Sequence, residues 1–307
     1  MNTQTRVPGH PTRAQNRYDR MVRDAGGRSR FVPTRTGRAH VVEDGDGLPV
    51  VHLHGNNTSS LSHLMLLEHT TAVHSFLVDR PGFGLSDPSD FRRTELRQHA
   101  VGFVDDVLDG LGLESAVLVG ASGGGIWSVW YALDRPERVR GVVMLGSVPL
   151  LPGARIPVDV RVMATPVLGQ LLGRIVKPGR RMLLHLLSSV GEGETIRRYP
   201  ELLDSLVDAA HDPVARAANV TELQAILSPF GTRPEARIRP DALRQLRVPT
   251  LMIWGDHDPV VPVKDAQAVA ALVPHARLEV LAAGHVPQLG HPARVAALIV
   301  EFAHSIP

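Results

Sequence analysis

Short runs of β-branched and other apolar residues alternate with longer helical patterns along most of the chain, and this alternation restricts the fold more than any other feature of the sequence. Such runs, separated by crossover helices, are typical of parallel strands. Strands are predicted at residues 49–54, 75–79, 115–119, 140–145, 250–254 and 277–281, and segments 30–35 and 38–43 predict an antiparallel hairpin at the sheet edge. The predicted fold class is therefore α/β, with a mostly parallel eight-stranded sheet and helices on both faces.

The pattern changes between residues 149 and 247, where amphipathic helices broken by proline and glycine replace the strands. Candidate helices in this region lie at residues 161–176, 180–190, 200–211 and 214–227. We therefore predict three parts, which are an N-terminal arm at residues 1–29, an α/β core at 30–148 and 248–307, and a helical insertion at 149–247.

The N-terminal arm is strongly basic. Residues 1–30 contain seven arginines and two aspartates, whereas the rest of the chain has a slight excess of acidic residues. We interpret this arm as a tail or a short helix packed on the body, and a lid, a dimer contact or a contact with an anionic partner are the alternatives.

Composition excludes several classes of protein. With 33 basic and 31 acidic residues the net charge is only +2, which argues against a nucleic-acid-binding surface. The absence of cysteine excludes disulfides, thiolate metal sites and a cysteine nucleophile. No apolar run is long enough for a membrane span, and the N-terminus lacks the apolar segment of a signal peptide. We expect a bacterial, cytoplasmic monomer or homodimer that acts on a small molecule, with no cofactor and no metal.

The strongest chemical signal is the segment 120–124 (GASGG), a Gly-x-Ser-x-Gly match at a predicted strand-to-helix turn. A nucleophile on such a tight turn requires small neighbours two residues away on each side, because the strand and helix backbones pass close together. The turn would expose the hydroxyl of Ser122 and direct the amide of Gly123 at a developing oxyanion. The alternative interpretation is a structural glycine-rich turn.

A serine hydroxyl becomes nucleophilic when a histidine, oriented by a carboxylate, removes its proton. His285 lies in AGHVP, just past the last predicted strand, and Asp258 lies in WGDHDP, just past the preceding one. We predict that Ser122, Asp258 and His285 form a catalytic triad. Asp256 is the competing carboxylate, and a turn or helix cap is the alternative role of Asp258.

An oxyanion hole is predicted after the strand at residues 49–54, where the segment HGNNT follows. The backbone N–H of Asn56 would act beside that of Gly123; the alternative interpretation, a capping turn at Asn56 and Asn57, is compatible with that role. His52, His54 and His63 could suggest a metal site, but we predict structural roles because no carboxylate or fourth ligand accompanies them.

Together these motifs resemble the α/β-hydrolase superfamily, in particular its serine-nucleophile members that carry a lid. The segment 79–87 (DRPGFGLSD) looks like that family's loop after its fourth strand, and the order of the HG, GxSxG, GxxD and GH motifs is the same. The resemblance implies the α/β-hydrolase fold, the triad named above, and a lid formed by the insertion over the active site. The apolar residues of that lid either pack together or line a pocket.

The segment from His54 to Asn56 also resembles the corresponding loop of haloalkane dehalogenases, in which the asparagine side chain helps bind halide. Those enzymes require an aspartate nucleophile. Ser122 occupies that position and Gly123 replaces their tryptophan, so the resemblance disfavours dehalogenation and the related epoxide hydrolysis.

The predicted function is a serine hydrolase that cleaves an ester-type acyl bond, whether carboxylic ester, lactone or thioester, of a small apolar substrate through an acyl-enzyme. The alternatives that keep the triad are C–C bond hydrolysis, acyl transfer and cofactor-free perhydrolase or haloperoxidase chemistry. A different class of alternative is a ligand-binding protein of the same fold without turnover.

Overall fold

The fold is built around one central sheet. The computed structural model describes residues 12–92 and 94–306. The strands of the sheet are β1 (Arg28–Thr34), β2 (Gly37–Asp44), β3 (Leu48–Leu53), β4 (Val73–Val78), β5 (Ala116–Ala121), β6 (Val139–Leu145), β9 (Thr250–Gly255) and β10 (Ala276–Leu281). A separate two-residue pairing joins β7 (Leu227–Ser228) to β8 (Gly231–Thr232).

The eight-stranded sheet has the order β1-β2-β4-β3-β5-β6-β9-β10. The two pairings that involve β2 are antiparallel, and all the others are parallel. This confirms the prediction of an α/β fold with a mostly parallel eight-stranded sheet and an antiparallel hairpin at one edge. Because every strand of this sheet except β2 runs in the same direction, the carboxyl ends of those seven strands meet at one edge of the sheet.

Helices occupy the connections between the strands. They are α1 (Arg13–Asp24), α2 (Leu96–Leu111), α3 (Gly123–Asp134), α4 (Val158–Met163), α5 (Leu168–Ile175), α6 (Arg180–Ser189), α7 (Pro200–His211), α8 (Pro213–Ile226), α9 (Pro240–Gln245), α10 (Val263–Ala270), α11 (Pro287–Gly290) and α12 (Pro292–Ser305). Short 3₁₀ helices lie at Ser60–His69, Pro136–Arg138, Ile196–Arg198 and Pro234–Ala236. We call the stretch from α4 to α8 the helical segment.

The sheet is buried on both faces, as the continuous apolar runs predict. In β5, Ala116 and Leu118 belong to one hydrophobic cluster, together with side chains of α2 and α3. Val117 and Val119 belong to a second cluster on the other face, with side chains of α12. Alternate residues of one strand therefore contribute to both layers of the core.

Two helical predictions were wrong in detail. A single helix at 161–176 was expected, but the chain forms α4 and α5, with a break at Pro166 and Val167, whose φ is 65°. The proline has no N–H to donate, and its ring prevents the helix from continuing. The sequence also predicts an α-helix at residues 58–73, with Thr58, Ser59 and Ser60 as candidate caps, whereas residues 60–69 form a 3₁₀ helix capped by Ser59. Seven of those ten residues are buried, so this segment lacks the single apolar face of an amphipathic α-helix.

The predicted basic arm is a helix in the part that the structure describes. Residues 1–11, which include Arg6, lie outside the described residues. Helix α1 begins with a capping box in which the Thr12 side chain accepts from the Gln15 backbone and the Gln15 side chain accepts from the Thr12 backbone. Tyr18 and Val22 are buried against the body, which agrees with the interpretation as a short packed helix.

Candidate active site

The turn between β5 and α3 holds Ser122 in a strained conformation. Its φ and ψ angles are 48° and −112°, a region that non-glycine residues rarely adopt. The backbones on either side approach closely, since a Cβ atom at Gly120 would lie 2.5 Å from the carbonyl oxygen of Gly124. A Cβ atom at Gly124 would lie 2.0 Å from the carbonyl oxygen of Leu53 in the neighbouring strand. These contacts give the physical reason for the small residues predicted around Ser122.

The structure brings Ser122, His285 and Asp258 together. The Nε2 atom of His285 lies 2.9 Å from the Ser122 Oγ, and its Nδ1 atom lies 3.0 Å from Asp258 Oδ2. Ser122 follows β5, Asp258 follows β9 and the histidine follows β10, so three strand ends place the three side chains at the same sheet edge. The result is a continuous hydrogen-bonded chain from a hydroxyl to a carboxylate.

Asp258 is buried and held as an anion. Burial alone would raise its pKa, but the hydrogen bond to His285 and that ring's charge lower it, as do the backbone N–H of Val260 and the hydrogen bond from Ser147. The net effect keeps the pKa of Asp258 below its ordinary value. The carboxylate is thus suited to orient the imidazole and to stabilise its protonated form.

The competing carboxylate, Asp256, has other partners. Its Oδ1 accepts a hydrogen bond from the backbone N–H of Ala283 at 3.0 Å and lies 2.5 Å from Nδ1 of His257. It therefore braces the loop that leads to His285 and leaves the contact with the imidazole to Asp258.

Sequence reasoning missed Ser147, which follows β6. Its hydroxyl lies 2.9 Å from Nδ1 of His285, and its backbone N–H donates to Asp258 Oδ2 at 3.0 Å. The sequence does carry a signal for it, because Gly146 and Ser147 stand directly after a predicted strand at the same sheet edge. Polar residues at the ends of neighbouring parallel strands are expected to meet.

The loop after β3 runs beside Ser122. A Cβ atom at Gly55 would lie 3.3 Å from the Ser122 Cβ. A Cβ atom at Gly123 would lie 3.3 Å from the backbone nitrogen of Asn56 and 2.0 Å from its Oδ1. The two residues predicted to supply oxyanion-hole amides, Asn56 and Gly123, are therefore direct neighbours next to the serine.

His54 holds this loop through both ring nitrogens. Its Nε2 accepts from the backbone N–H of Arg80 at 3.0 Å, so its Nδ1 is the protonated nitrogen that donates to the Gly55 carbonyl oxygen at 2.7 Å. Burial and the charge of Arg80 lower the pKa of His54 to about 3. The ring is neutral at physiological pH and serves a structural role, as predicted.

A buried acidic residue from the helical segment contacts the loop of His285. The Glu192 carboxylate accepts a hydrogen bond from the backbone N–H of Val286 at 2.7 Å, and the backbone N–H of His285 donates to the Val190 carbonyl oxygen at 2.9 Å. Burial raises the pKa of Glu192. The helical segment thus packs directly against the residue that would act as the base.

His52 and His63 pack edge to face with ring centroids 5.4 Å apart, and both are fully buried. Across residues 12–92 and 94–306, no group of three or more histidine, aspartate or glutamate side chains is arranged to hold a metal ion.

Among the helices that the structure describes, none has the length and apolarity required to cross a membrane.

Comparison with known proteins supports the same family throughout. Residues 50–298 match the model of the alpha/beta hydrolase family. The chain is 30% identical over 292 residues to haloalkane dehalogenase 2 of Mycobacterium tuberculosis, which covers 89% of this chain and 94% of that protein. It is 28% identical over 275 residues to 2-hydroxymuconate semialdehyde hydrolase of Pseudomonas putida, covering 86% and 90% of the two chains.

The fold comparison agrees. The crystal structure of carboxylesterase CesB from Bacillus subtilis is 25% identical, with a TM-score of 0.74 and coverage of 94% of this chain and 96% of that chain. The chain belongs to the alpha/beta hydrolase family, and it is an enzyme of that class.

Proposed function

We propose that this protein is a serine hydrolase that cleaves an ester-type acyl bond of a small apolar substrate through an acyl-enzyme. The observation that carries the proposal is the hydrogen-bonded chain from Ser122 through His285 to Asp258, at a turn whose strained backbone exposes the serine. This arrangement matches the requirements of an activated serine nucleophile.

In the proposed reaction, Nε2 of His285 takes the proton from the Ser122 hydroxyl as its oxygen attacks the acyl carbon. The N–H groups of Asn56 and Gly123 stabilise the resulting oxyanion, and Asp258 stabilises the imidazolium. The intermediate collapses when His285 gives its proton to the departing alkoxide. Water then attacks the acyl-enzyme with His285 again as the base, which releases the acid and restores the serine.

We further propose that the helical segment is a lid over this site. The contacts of Val190 and Glu192 with the loop at residues 285 and 286 support it, because they place the segment against the proposed base. Apolar residues of such a lid would favour substrates with apolar acyl groups.

The test is a panel of p-nitrophenyl esters of increasing acyl length, assayed together with lactones and thioesters. We expect the wild-type enzyme to hydrolyse at least one ester, and Ser122→Ala to lose at least about 10⁴-fold in kcat because no nucleophile remains. A fluorophosphonate probe should label the wild-type protein and not the variant. Full turnover by a purified Ser122→Ala sample would refute the mechanism, and a folded wild-type protein that is never labelled would favour a binding role.

A second candidate is the hydrolysis of a C–C bond. The similarity to 2-hydroxymuconate semialdehyde hydrolase of Pseudomonas putida favours it. Comparison of kcat/KM for 2-hydroxymuconate semialdehyde with that for the best ester decides between the two substrates. Adding an alcohol or peroxide as competing acceptor shows whether acyl transfer or perhydrolysis takes place.

A further inference from the structure

A buried ion pair joins the helical segment to the loop after β4, which contacts the loop of the proposed oxyanion hole. Glu222 in α8 and Arg80, two residues past β4, are both almost completely inaccessible to solvent, and the Arg80 Nη1 donates to Glu222 Oε1. The indole N–H of Trp127 in α3 donates to the same oxygen at 3.0 Å. The Arg80 guanidinium also lies 5.0 Å from the ring centroids of Phe83 and Trp127.

The other oxygen of Glu222 reaches the proposed oxyanion residue directly. The side-chain Nδ2 of Asn56 donates to Glu222 Oε2 at 2.8 Å. The Oδ1 atom of the same carboxamide occupies the space that a side chain at residue 123 would need. A Cβ atom built on Gly123 would lie only 2.0 Å from it. The Asn56 side chain is therefore fixed at both ends, by the carboxylate at its nitrogen and by close packing at its oxygen.

Arg80 fixes the peptide unit that carries the Asn56 N–H. Its Nη2 donates to the Gly55 carbonyl oxygen at 3.0 Å, and His54 donates to the same oxygen. That oxygen and the N–H of Asn56 belong to one peptide group, and in a trans peptide they point in opposite directions. Holding the oxygen on the Arg80 side therefore directs the N–H away from it.

We propose that Glu222 is a positioning residue that sets the oxyanion-donor N–H of Asn56, so that this donor is in place only while α8 is seated. This inference rests on the proposed function. Glu222 acts on both sides of the peptide unit, directly through the Asn56 side chain and indirectly through Arg80. The arginine also neutralises a carboxylate that would otherwise oppose negative charge developing on the substrate.

The first test is Glu222→Gln, which keeps the size of the side chain but removes the charge that holds Arg80. We expect kcat for the best p-nitrophenyl ester to fall about tenfold, with KM changed less than about twofold, because a displaced donor weakens binding of the transition state more than that of the substrate. Affinity for phenylboronic acid, whose adduct with Ser122 is tetrahedral and anionic, should fall by the same factor as kcat/KM.

Asn56→Ala tests the same contact from the loop side while the buried ion pair stays intact, so the proposal stays testable if the Glu222 variant does not fold. It should reproduce the loss in kcat and in boronate affinity, and the double variant should be no worse than the more impaired single variant. Glu201→Gln is the control, since Glu201 also pairs with an arginine outside the helical segment, Arg20 of α1 at 2.8 Å, but this pair lies at the exposed surface.

The possible results separate the two proposals. Wild-type activity in Glu222→Gln and Asn56→Ala, in an enzyme that Ser122→Ala inactivates, overturns the positioning role and leaves the proposed function intact. Tighter boronate binding in Glu222→Gln also overturns it, because the charge of Arg80 and not the geometry would then govern the site. A wild-type protein that neither hydrolyses an acyl substrate nor reacts with the fluorophosphonate probe overturns both.

Discussion

Asp256 and Asp258 lie two residues apart after β9, yet their carboxylates bind different partners in the structure. Asp258 is buried and lies 3.0 Å from Nδ1 of His285, whereas Asp256 braces the backbone at Ala283. Both residues follow the carboxyl end of the same strand, so spacing along the chain alone leaves both candidates open. The fold resolves the choice by geometry.

This difference gives a prediction with a matched control. Asp258→Asn should lower kcat by about 10⁴-fold, because the amide can donate to His285 and so favour the wrong tautomer. Asp256→Asn keeps an oxygen that can accept from Ala283 and should cost less than about tenfold. The measurement is kcat for one ester in both variants, and equal losses would contradict the assignment of Asp258 as the carboxylate of the triad.

At the residue scale the sequence points to the residues of the proposed triad and of the oxyanion loop, because glycines and polar residues stand directly after predicted strands. It does not predict the residues that hold them. Asn56 and Glu222 are 166 positions apart, and the contact exists only because α8 packs over the sheet edge. Nothing in the local pattern around Glu222 distinguishes it from a solvent-facing glutamate of an amphipathic helix.

At the scale of elements, α1 links the body to the helical segment. The Tyr18 hydroxyl donates to Asp79 Oδ2 at 2.7 Å in the core, and Arg17 pairs with Asp208 of α7 at 2.8 Å. Asp79 is the residue before Arg80, so α1 supports the same loop that anchors the proposed oxyanion hole. Composition identified this stretch as basic, but its role depends on acidic partners in α7 that are distant in sequence.

Removing the tyrosine hydroxyl tests this support. Tyr18→Phe should lower the free energy of unfolding by about 1.5–3 kcal/mol, since it removes a buried hydrogen bond to a charged carboxylate. Urea denaturation measures the effect. Tyr199→Phe, a half-buried tyrosine at the start of α7, is the control and should change stability by less than about 0.5 kcal/mol. Equal stability of Tyr18→Phe and the wild-type protein would show that the contact contributes nothing.

At the scale of the whole molecule, the fold buries several titratable groups in defined protonation states. Burial lowers the pKa of His52 well below its ordinary value, that of His54 to about 3 and that of His63 to about 4. Burial alone would raise the pKa of Asp79, but the hydrogen bond and charge of His40 hold it at about 2. The native state therefore keeps three neutral histidines and one anion that the unfolded chain would titrate at ordinary values.

These shifts predict acid sensitivity with a definite sign. Below about pH 6.5 the unfolded chain binds protons at the three histidines and the folded state does not, so stability is present above that pH and falls toward pH 4 by about 1.4 kcal/mol per pH unit for each histidine. The contribution of Asp79 is present above about pH 3.9 and is lost as the pH falls toward 2.

Urea denaturation between pH 7 and pH 4 measures this slope. His63→Leu should make it shallower by about 1.4 kcal/mol per pH unit, since one proton-binding group is removed from the unfolded state. Ser62→Ala, at the neighbouring buried position, should alter stability without altering the slope. An unchanged slope in His63→Leu would contradict a neutral buried histidine at this position.

Because Glu222 pairs with Arg80 in the core, the helical segment is expected to tolerate amino-acid substitutions differently at its two ends. Around residue 222 the segment contacts Asn56 and Arg80 beside Ser122, so a substitution there is expected to disturb both residues. Helices α4 and α5 and their connection lie nearer the surface. Val158, Val167 and Ile175 there are 65%, 77% and 68% exposed. If the helical segment is the proposed lid, exchanging α4 and α5 is therefore expected to change substrate selection while the contacts of Glu222 stay in place.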